Sequence, residues 1–344
     1  MKVAVVNNQA PFVRGGAELL AEWLRDKLRE YGHEAEVVRI PFKWSPAPKI
    51  VDHMLAARLV RLAGADRVVA LKFPAYFVPH ENKVLWLLHQ FRQAYELWGT
   101  PYQDIPNSPA GHRVRESIIR ADRSFLSEAK RIYTNSEIVG HRLRMYTGIE
   151  SEILYPPLLD PESLRCEDYG DYFFCPGRIT AGKRQHLAVA AMADVAGSAR
   201  LIIAGQPETA EDLERLTGLI HELELERRVE VIPRWISEEE KIRLMTNARG
   251  VVYLPFGEDS YGYVTLEAFH ARKAVITLAD SGGILELVRD RYNGLVPSDV
   301  EGLSHALQEL ADDRDLAESM GGAAFSTLQE LDISWDRVIC ELTR

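Results

Sequence analysis

The residues with the most chemistry in them lie between Pro255 and Thr277, in the stretch PFGEDSYGYVTLEAFHARKAVIT. Glu258 and Asp259 stand just before Gly262, and Glu267 follows Asp259 with seven residues between them. The pattern reads as the end of a buried strand, a polar loop, a short helix and the start of another strand. With one acid in the loop and the other a turn into the helix, the two carboxylates can accept hydrogen bonds from hydroxyl groups. Glycine lets a backbone approach a ligand closely, and free amides at a helix start near Gly262–Val264 favour a phosphate. Hydroxyl-holding acids around an anion-binding helix start suggest a nucleotide-sugar. The same letters also fit a helix capped by Asp259 or Ser260, with Glu267 a solvated surface acid.

Basic residues upstream could serve the same ligand. Tyr172–Cys175 reads as a strand running into Pro176-Gly177-Arg178-Ile179-Thr180, with Lys183 and Arg184 close behind. An arginine at a strand end and a lysine five residues later can converge on one diphosphate, because both side chains are long. Arg184 could add a phosphate contact or nothing at all, and loop-exposed basic residues are commonly just solvated. His89 ends the strand-like run from Lys83, where open parallel sheets place ligands. Arg92 and Tyr95 open an aromatic-rich stretch through Trp98 and Tyr102, read here as an acceptor-side loop; packing aromatics would look the same.

The elements that must position these groups alternate strand and helix. Lys2–Val6 reads as a strand, followed by a polar loop and Arg14-Gly15-Gly16-Ala17-Glu18. From there Leu20, Trp23, Leu24, Leu28 and Tyr31 recur at helical spacing until Gly32, and His33–Ile40 reads as a second strand. Strand, Gly-rich turn, helix and strand open a doubly wound parallel sheet. The Gly-x-Gly-x-x-Gly dinucleotide fingerprint is missing. Further strands are expected at Ala65–Leu71, Ile132–Thr134, Leu201–Ala204, Val229–Ile232 and Ala274–Thr277. Ser237 with Glu240 reads as a capping box after the loop Pro233-Arg234-Trp235-Ile236. The proline pair Pro156-Pro157 makes a stiff linker, which places a domain boundary near 158.

With these residues in view, the chain resembles glycosyltransferase family 4, a retaining family with the GT-B fold. The resemblance rests on Asp259, Tyr261-Gly262 and Leu266-Glu267-Ala268-Phe269 as the donor-site signature. It also rests on Gly15-Gly16-Ala17-Glu18, Gly177-Arg178 with Lys183, TNSEIVGHRLRMYTG, and Gly282-Gly283 with Glu286. Family members usually have Glu where this chain has Asp259, and whether Glu258 or Asp259 reaches the sugar stays open. The resemblance implies two Rossmann-like doubly wound domains facing across a cleft. These would be an acceptor-side domain at 1–158 and a nucleotide-sugar domain at 159–325. The last helix, within 326–344, would pack back on the first domain, with Trp335 as its anchor. It implies that Arg178 and Lys183 grip the donor diphosphate and that His89 contacts the transferred sugar. Gly15 and Gly16 would form a donor-facing loop. Asp259 with Glu258 would hold the sugar ring, Glu267 the ribose, and Tyr261, Gly262, Tyr263 and Val264 would complete the donor site. Arg234 and Trp235 would lie beside the nucleobase, and Arg14, Arg92 and Tyr95 on the acceptor side. The implied reaction moves a hexosyl-type sugar, with retention, from a UDP or GDP donor to a glycan, lipid-linked or small-molecule hydroxyl. No cofactor and no metal are implied. A GT-B sugar-nucleotide epimerase, or a non-catalytic glycan-binding module, would carry many of the same residues.

Composition sets the outer limits. With 344 residues, 46% hydrophobic and 27% charged, the chain suits two domains with their own cores. No apolar run approaches the length of a membrane span. Cys166, Cys175 and Cys340 lack metal-ligand spacing and fit a reducing cytoplasm. The net charge of −10 is uneven: residues 1–158 hold 22 Lys and Arg against 17 Asp and Glu (+5), leaving −15 for the rest. A basic first half would face an anionic partner, either the inner face of a membrane, touched peripherally, or a diphosphate-linked lipid acceptor. Nothing beyond that charge speaks for nucleic acid. Asp313-Arg314-Asp315 matches an Asp-x-Asp metal-nucleotide pattern but sits in a polar, helix-like stretch, and is read as solvated surface.

Overall fold

The computed structural model describes residues 1–9, 15–100, 102–258 and 260–344. The chain divides into two units, Met1–Pro157 with Ile333–Arg344, and Leu158–Asp332. Each is built on one six-stranded parallel sheet.

The first sheet contains β1 (Lys2–Gln9), β2 (Glu34–Pro41), β3 (Arg67–Lys72), β4 (Lys83–His89), β5 (Arg131–Thr134) and β6 (Glu152–Ile153). Their spatial order is β2-β1-β3-β4-β5-β6. Val68–Leu71 and Val84–Leu88 are buried runs, as expected of strands covered on both faces. The helix Gly16–Glu30 starts at Gly15, whose extended backbone makes it the cap residue, and buries Leu20, Ala21, Leu24 and Leu28. The sequence analysis assigned no element between the second and third strands, where the structure has the helix Lys49–Leu59. It buries Ile50, Met54 and Ala57.

The second sheet contains β7 (Tyr172–Pro176), β8 (Arg200–Ala204), β9 (Val229–Ile232), β10 (Gly250–Val252), β11 (Val275–Ile276) and β12 (Gly294–Leu295). They are ordered β12-β11-β10-β7-β8-β9. The strand order therefore reverses between β7 and β10. In an open parallel sheet the crevice beyond the carboxyl ends of such a strand pair is where ligands bind. Gly205 is required at the end of β8, because a Cβ there would lie 2.0 Å from the Gly177 carbonyl oxygen.

The last helix, Trp335–Thr343, is part of the first unit. Val338, Ile339 and Leu342 join Val3, Val5 and Leu24 in its core, and Trp335 meets Trp86 edge to face with centroids 6.5 Å apart. Arg67 donates to the Leu342 carbonyl at 2.8 Å and Tyr133 to the Glu341 carboxylate at 2.6 Å. Asp313 caps the helix Arg314–Glu330 by accepting from the Leu316 amide at 2.8 Å, so the Asp-x-Asp match is a helix start. Among the described residues no helix is long and apolar enough to cross a membrane. Leu342→Ala is expected to lower stability by ~3 kcal/mol, since truncating a buried leucine removes its transfer energy and leaves a cavity. Guanidinium unfolding checks this, and a loss near zero would mean the helix contributes little to that core.

Candidate functional site

The candidate site of the second unit forms where the chain leaves β7 and β10. After β7, the loop runs through Gly177 and Arg178 to a single helical turn at Ala181–Lys183, capped by Thr180, whose hydroxyl accepts from the Lys183 amide at 3.3 Å. After β10, it runs through Tyr253 to Glu258 and into the helix Gly262–His270. The two loops meet at Lys183. Its ammonium donates to the Tyr253 hydroxyl at 2.8 Å and to the Glu258 carboxylate, and Tyr253 donates to the same Glu258 oxygen at 3.3 Å. Burial opposes the lysine's charge, but Tyr253 and Glu258 outweigh it and raise its pKa above the ordinary value. Burial pushes the Tyr253 phenol up to about 12.

Tyr253 also touches the start of the helix. Gly262 has φ 69°, and a Cβ on it would lie 2.6 Å from Tyr253 Cε1 and 3.0 Å from the Tyr253 hydroxyl. Only glycine fits there. The Lys183 ammonium thus sits one tyrosine hydroxyl away from the start of the helix, where Tyr261 adds no side-chain cap but the Ser260 hydroxyl, one of the two expected caps, accepts from the Gly262 amide at 3.3 Å. Two positive ends so close favour an anion between them. Tyr261 is 1% exposed and belongs to the packing, whereas Tyr263 and Val264 are half-buried in the helix's first turn.

Glu267 is not a solvated surface acid. It is buried, and its carboxylate accepts from the Lys241 ammonium at 2.6 Å. Burial pushes the Glu267 pKa up, with Lys241 acting against the rise. Lys241, on the helix Glu238–Thr246, also pairs with Glu238 at 3.0 Å. It had no signal in the sequence, because a lysine in a charged first turn reads as solvated. Tyr253 was missed for a similar reason: a tyrosine at the end of an apolar run reads as core.

The other expectations fare unevenly. Arg178 is largely exposed and turns to Glu208, 3.5 Å away, rather than to Lys183. Arg184 is not a phosphate ligand. It adopts the left-handed conformation at φ 54°, is buried, and spends its guanidinium internally. It donates to the Leu254 carbonyl at 2.7 Å and forms two bonds to Asp280, at 2.6 and 2.8 Å. Its role is to clamp the Leu254–Pro255 segment to the loop at Asp280. Ser237 caps its helix by accepting from the Glu240 amide at 3.1 Å, but Glu240 pairs with Arg234 at 2.8 and 2.9 Å instead of closing the box. Trp235 is 70% exposed, which removes the core reading and leaves its ring open to stacking. Asp259 lies outside the described residues, and Glu258 is committed to Lys183.

In the first unit, His89 stands at the end of β4, with Nδ1 2.6 Å from the Gln90 carbonyl. A carbonyl only accepts, so Nδ1 carries the proton and Nε2 is the acceptor. Burial, then the Lys72 charge, lower its pKa to about 4, which keeps the ring neutral at neutral pH. Lys72 is itself paired with Glu18 of the Gly-Gly-Ala-Glu run at 2.8 Å. Gly15 and Gly16 begin the first helix; Arg14 lies outside the described residues. Tyr95 is not on an acceptor surface. It is 6% exposed, stacks on Tyr146, and donates to buried Asp122 at 2.7 Å. Asp122 also accepts from Tyr76 at 2.9 Å and Gln90 at 3.1 Å, while burial raises its pKa to about 6. Arg92 is half-buried and pairs with Glu96 at 2.8 Å.

Among the described residues no group of three or more His, Cys, Asp or Glu side chains is placed to hold a metal ion. The Arg184–Asp280 clamp gives a pH test. Asp280→Asn is expected to lower stability to urea by ~1 kcal/mol near neutral pH, a modest value because Asp280 is half exposed. Arg184 holds the Asp280 pKa below its ordinary value. The wild-type advantage is therefore full above about pH 3.9 and is lost as pH falls through the lower folded-state value. A difference that persists undiminished in acid would mean the clamp is not ionic.

Residues 160–327, just under half the chain, match the family model described as Glycosyl transferases group 1. No curated protein sequence matches the chain. Among solved structures, Anabaena HepE in complex with UDP and glucose aligns over 100% of both chains at 18% identity, with a TM-score of 0.73. Sucrose-phosphate synthase from Thermosynechococcus elongatus aligns over 99% of this chain and 97% of its own, at 16% identity and a TM-score of 0.79. WaaG, a glycosyltransferase involved in lipopolysaccharide biosynthesis, aligns over 99% of each chain at 16% identity and a TM-score of 0.72. The protein has the α/β GT-B fold of these enzymes, and its second unit matches the group 1 family model.

Proposed function

We propose that the protein is a retaining glycosyltransferase of family 4 type, moving a hexosyl-type sugar from a nucleoside-diphosphate donor to a glycan, lipid-linked or small-molecule hydroxyl. One observation carries the reading: the Lys183 ammonium and the helix start at Gly262 meet at Tyr253, beyond the strand pair where the second sheet reverses its order. That corner suits a diphosphate, and buried Glu267, five residues into the helix, suits the ribose hydroxyls. HepE's complex with UDP and glucose favours uridine over guanosine.

In the reaction, the bond from the sugar's anomeric carbon to the diphosphate oxygen breaks as the acceptor oxygen bonds to that carbon on the same face. The acceptor proton passes to the departing diphosphate, so no protein nucleophile and no metal are assigned. Negative charge grows on the diphosphate, and Lys183, the helix amides and Arg178, whose exposed side chain can turn from Glu208, neutralise it. Pre-placed charge of this kind is commonly the largest single contribution to such a rate. Lys241 holds Glu267 in place for the ribose, Asp259 is assigned to the sugar ring, and Trp235 with Arg234 to the base. His89, with Nε2 as acceptor, is assigned to a hydroxyl of the transferred sugar, and the Gly15–Gly16 turn to the donor. The excess of basic residues in 1–158 suits an anionic, lipid-linked acceptor at a membrane surface.

Lys183→Met and Arg178→Ala are each expected to lower kcat by ~100-fold, the scale of losing one charge-stabilising donor. Release of UDP together with glycosylated product measures this, with the anomeric configuration read by NMR. Turnover equal to wild type in both variants would remove the leaving-group assignment. Conversion of the donor to its epimer without acceptor would replace transfer with epimerisation.

A further inference from the structure

We propose that Glu258 is a built-in counter-anion for Lys183, which holds the ammonium between turnovers and must yield it to the donor's phosphates, so setting how tightly the nucleoside diphosphate is kept. The inference rests on the donor reading above and extends it.

The carboxylate of Glu258 bonds the same ammonium that the reaction needs for the leaving group, and it shares that oxygen with the Tyr253 hydroxyl. It is not a wandering loop acid. Its amide donates to the Ser281 carbonyl at 3.0 Å, and its carbonyl accepts from the Gly283 amide at 2.9 Å. The Gly282-Gly283 segment lies so close that a Cβ on Gly282 would be 2.5 Å from the Glu258 carbonyl oxygen. The backbone is thereby fixed on both sides, and the side chain reaches Lys183 from one anchored point. The lysine and glutamate side chains are only 26% and 22% exposed, so little water screens the pair.

The geometry has an electrostatic consequence. A diphosphate bound at Lys183 and the Gly262 helix start would lie within a few ångströms of a fixed carboxylate. Like charges that close, in a poorly hydrated corner, repel strongly. The ammonium then has two anionic claimants, and the spent nucleoside diphosphate is the one free to leave. A residue that merely positioned Lys183 would act in the opposite sense: neutralising it would loosen the lysine and weaken phosphate binding. The sign of one substitution separates the two roles.

Glu258→Gln keeps the shape and an oxygen for Lys183 and Tyr253 while removing the charge; Glu258→Ala removes the side chain altogether. Calorimetric titration of the full chain with UDP and GDP, and with uridine and guanosine as uncharged controls, reads the effect, with thermal melting as the check on folding. The expected result is a diphosphate Kd about tenfold lower than wild type in both variants, with nucleoside Kd unchanged, since the change is one of charge alone. A diphosphate affinity that is unchanged or weaker in the folded variants would overturn the proposal, as would equal tightening toward the nucleosides. Wild-type protein that binds neither diphosphate would instead overturn the donor reading, and this inference with it.

Discussion

A lysine ammonium and the amide end of a helix repel each other, yet this fold presses them to within one tyrosine hydroxyl. That juxtaposition is the constraint the second unit is arranged around. It needs glycine at 262, because any side chain there would strike Tyr253. It needs Gly282 and Gly283 beside Glu258, so that the loop after β10 can lie against them. It also needs the two loops to leave neighbouring strands at the reversal of the sheet, which the order β10-β7-β8 provides.

The groups around this corner come in pairs whose members lie on different elements. Lys183 takes Glu258 across the two loops, Lys241 takes Glu267 across two helices, and Arg184 takes Asp280 across the loops that follow β7 and β11. Buried ion pairs contribute little net stability against an apolar alternative, but losing one partner leaves a costly lone charge. Such pairs fix geometry more than they add stability. The first unit also pairs Lys72 with Glu18 across two elements, and it holds one buried acid by neutral donors. Asp122 accepts three hydrogen bonds, one of them from Gln90, whose own carbonyl fixes the His89 tautomer.

Much of the fold was legible because it is written in local patterns. Alternating strands and helices, the capping Ser237, and the Gly-Gly turn at 15–16 each declare themselves within a few residues. What stayed hidden depends on partners far apart in the chain. Arg184 reads as a loop cation until Asp280, 96 residues later, is seen beside it. Lys241 and Tyr253 read as surface and core until the structure places them against Glu267 and Lys183. Tyr95 fails the other way, since its aromatic neighbours suggested a surface loop while its hydroxyl is committed to a buried aspartate.

A crystal structure of the protein grown with UDP tests the central claim most directly. The account predicts that the diphosphate lies between the Lys183 ammonium and the amides after Gly262, with Glu258 displaced from the lysine and the ribose on Glu267. Phosphates seated elsewhere, with Lys183 and Glu258 still paired, would contradict it.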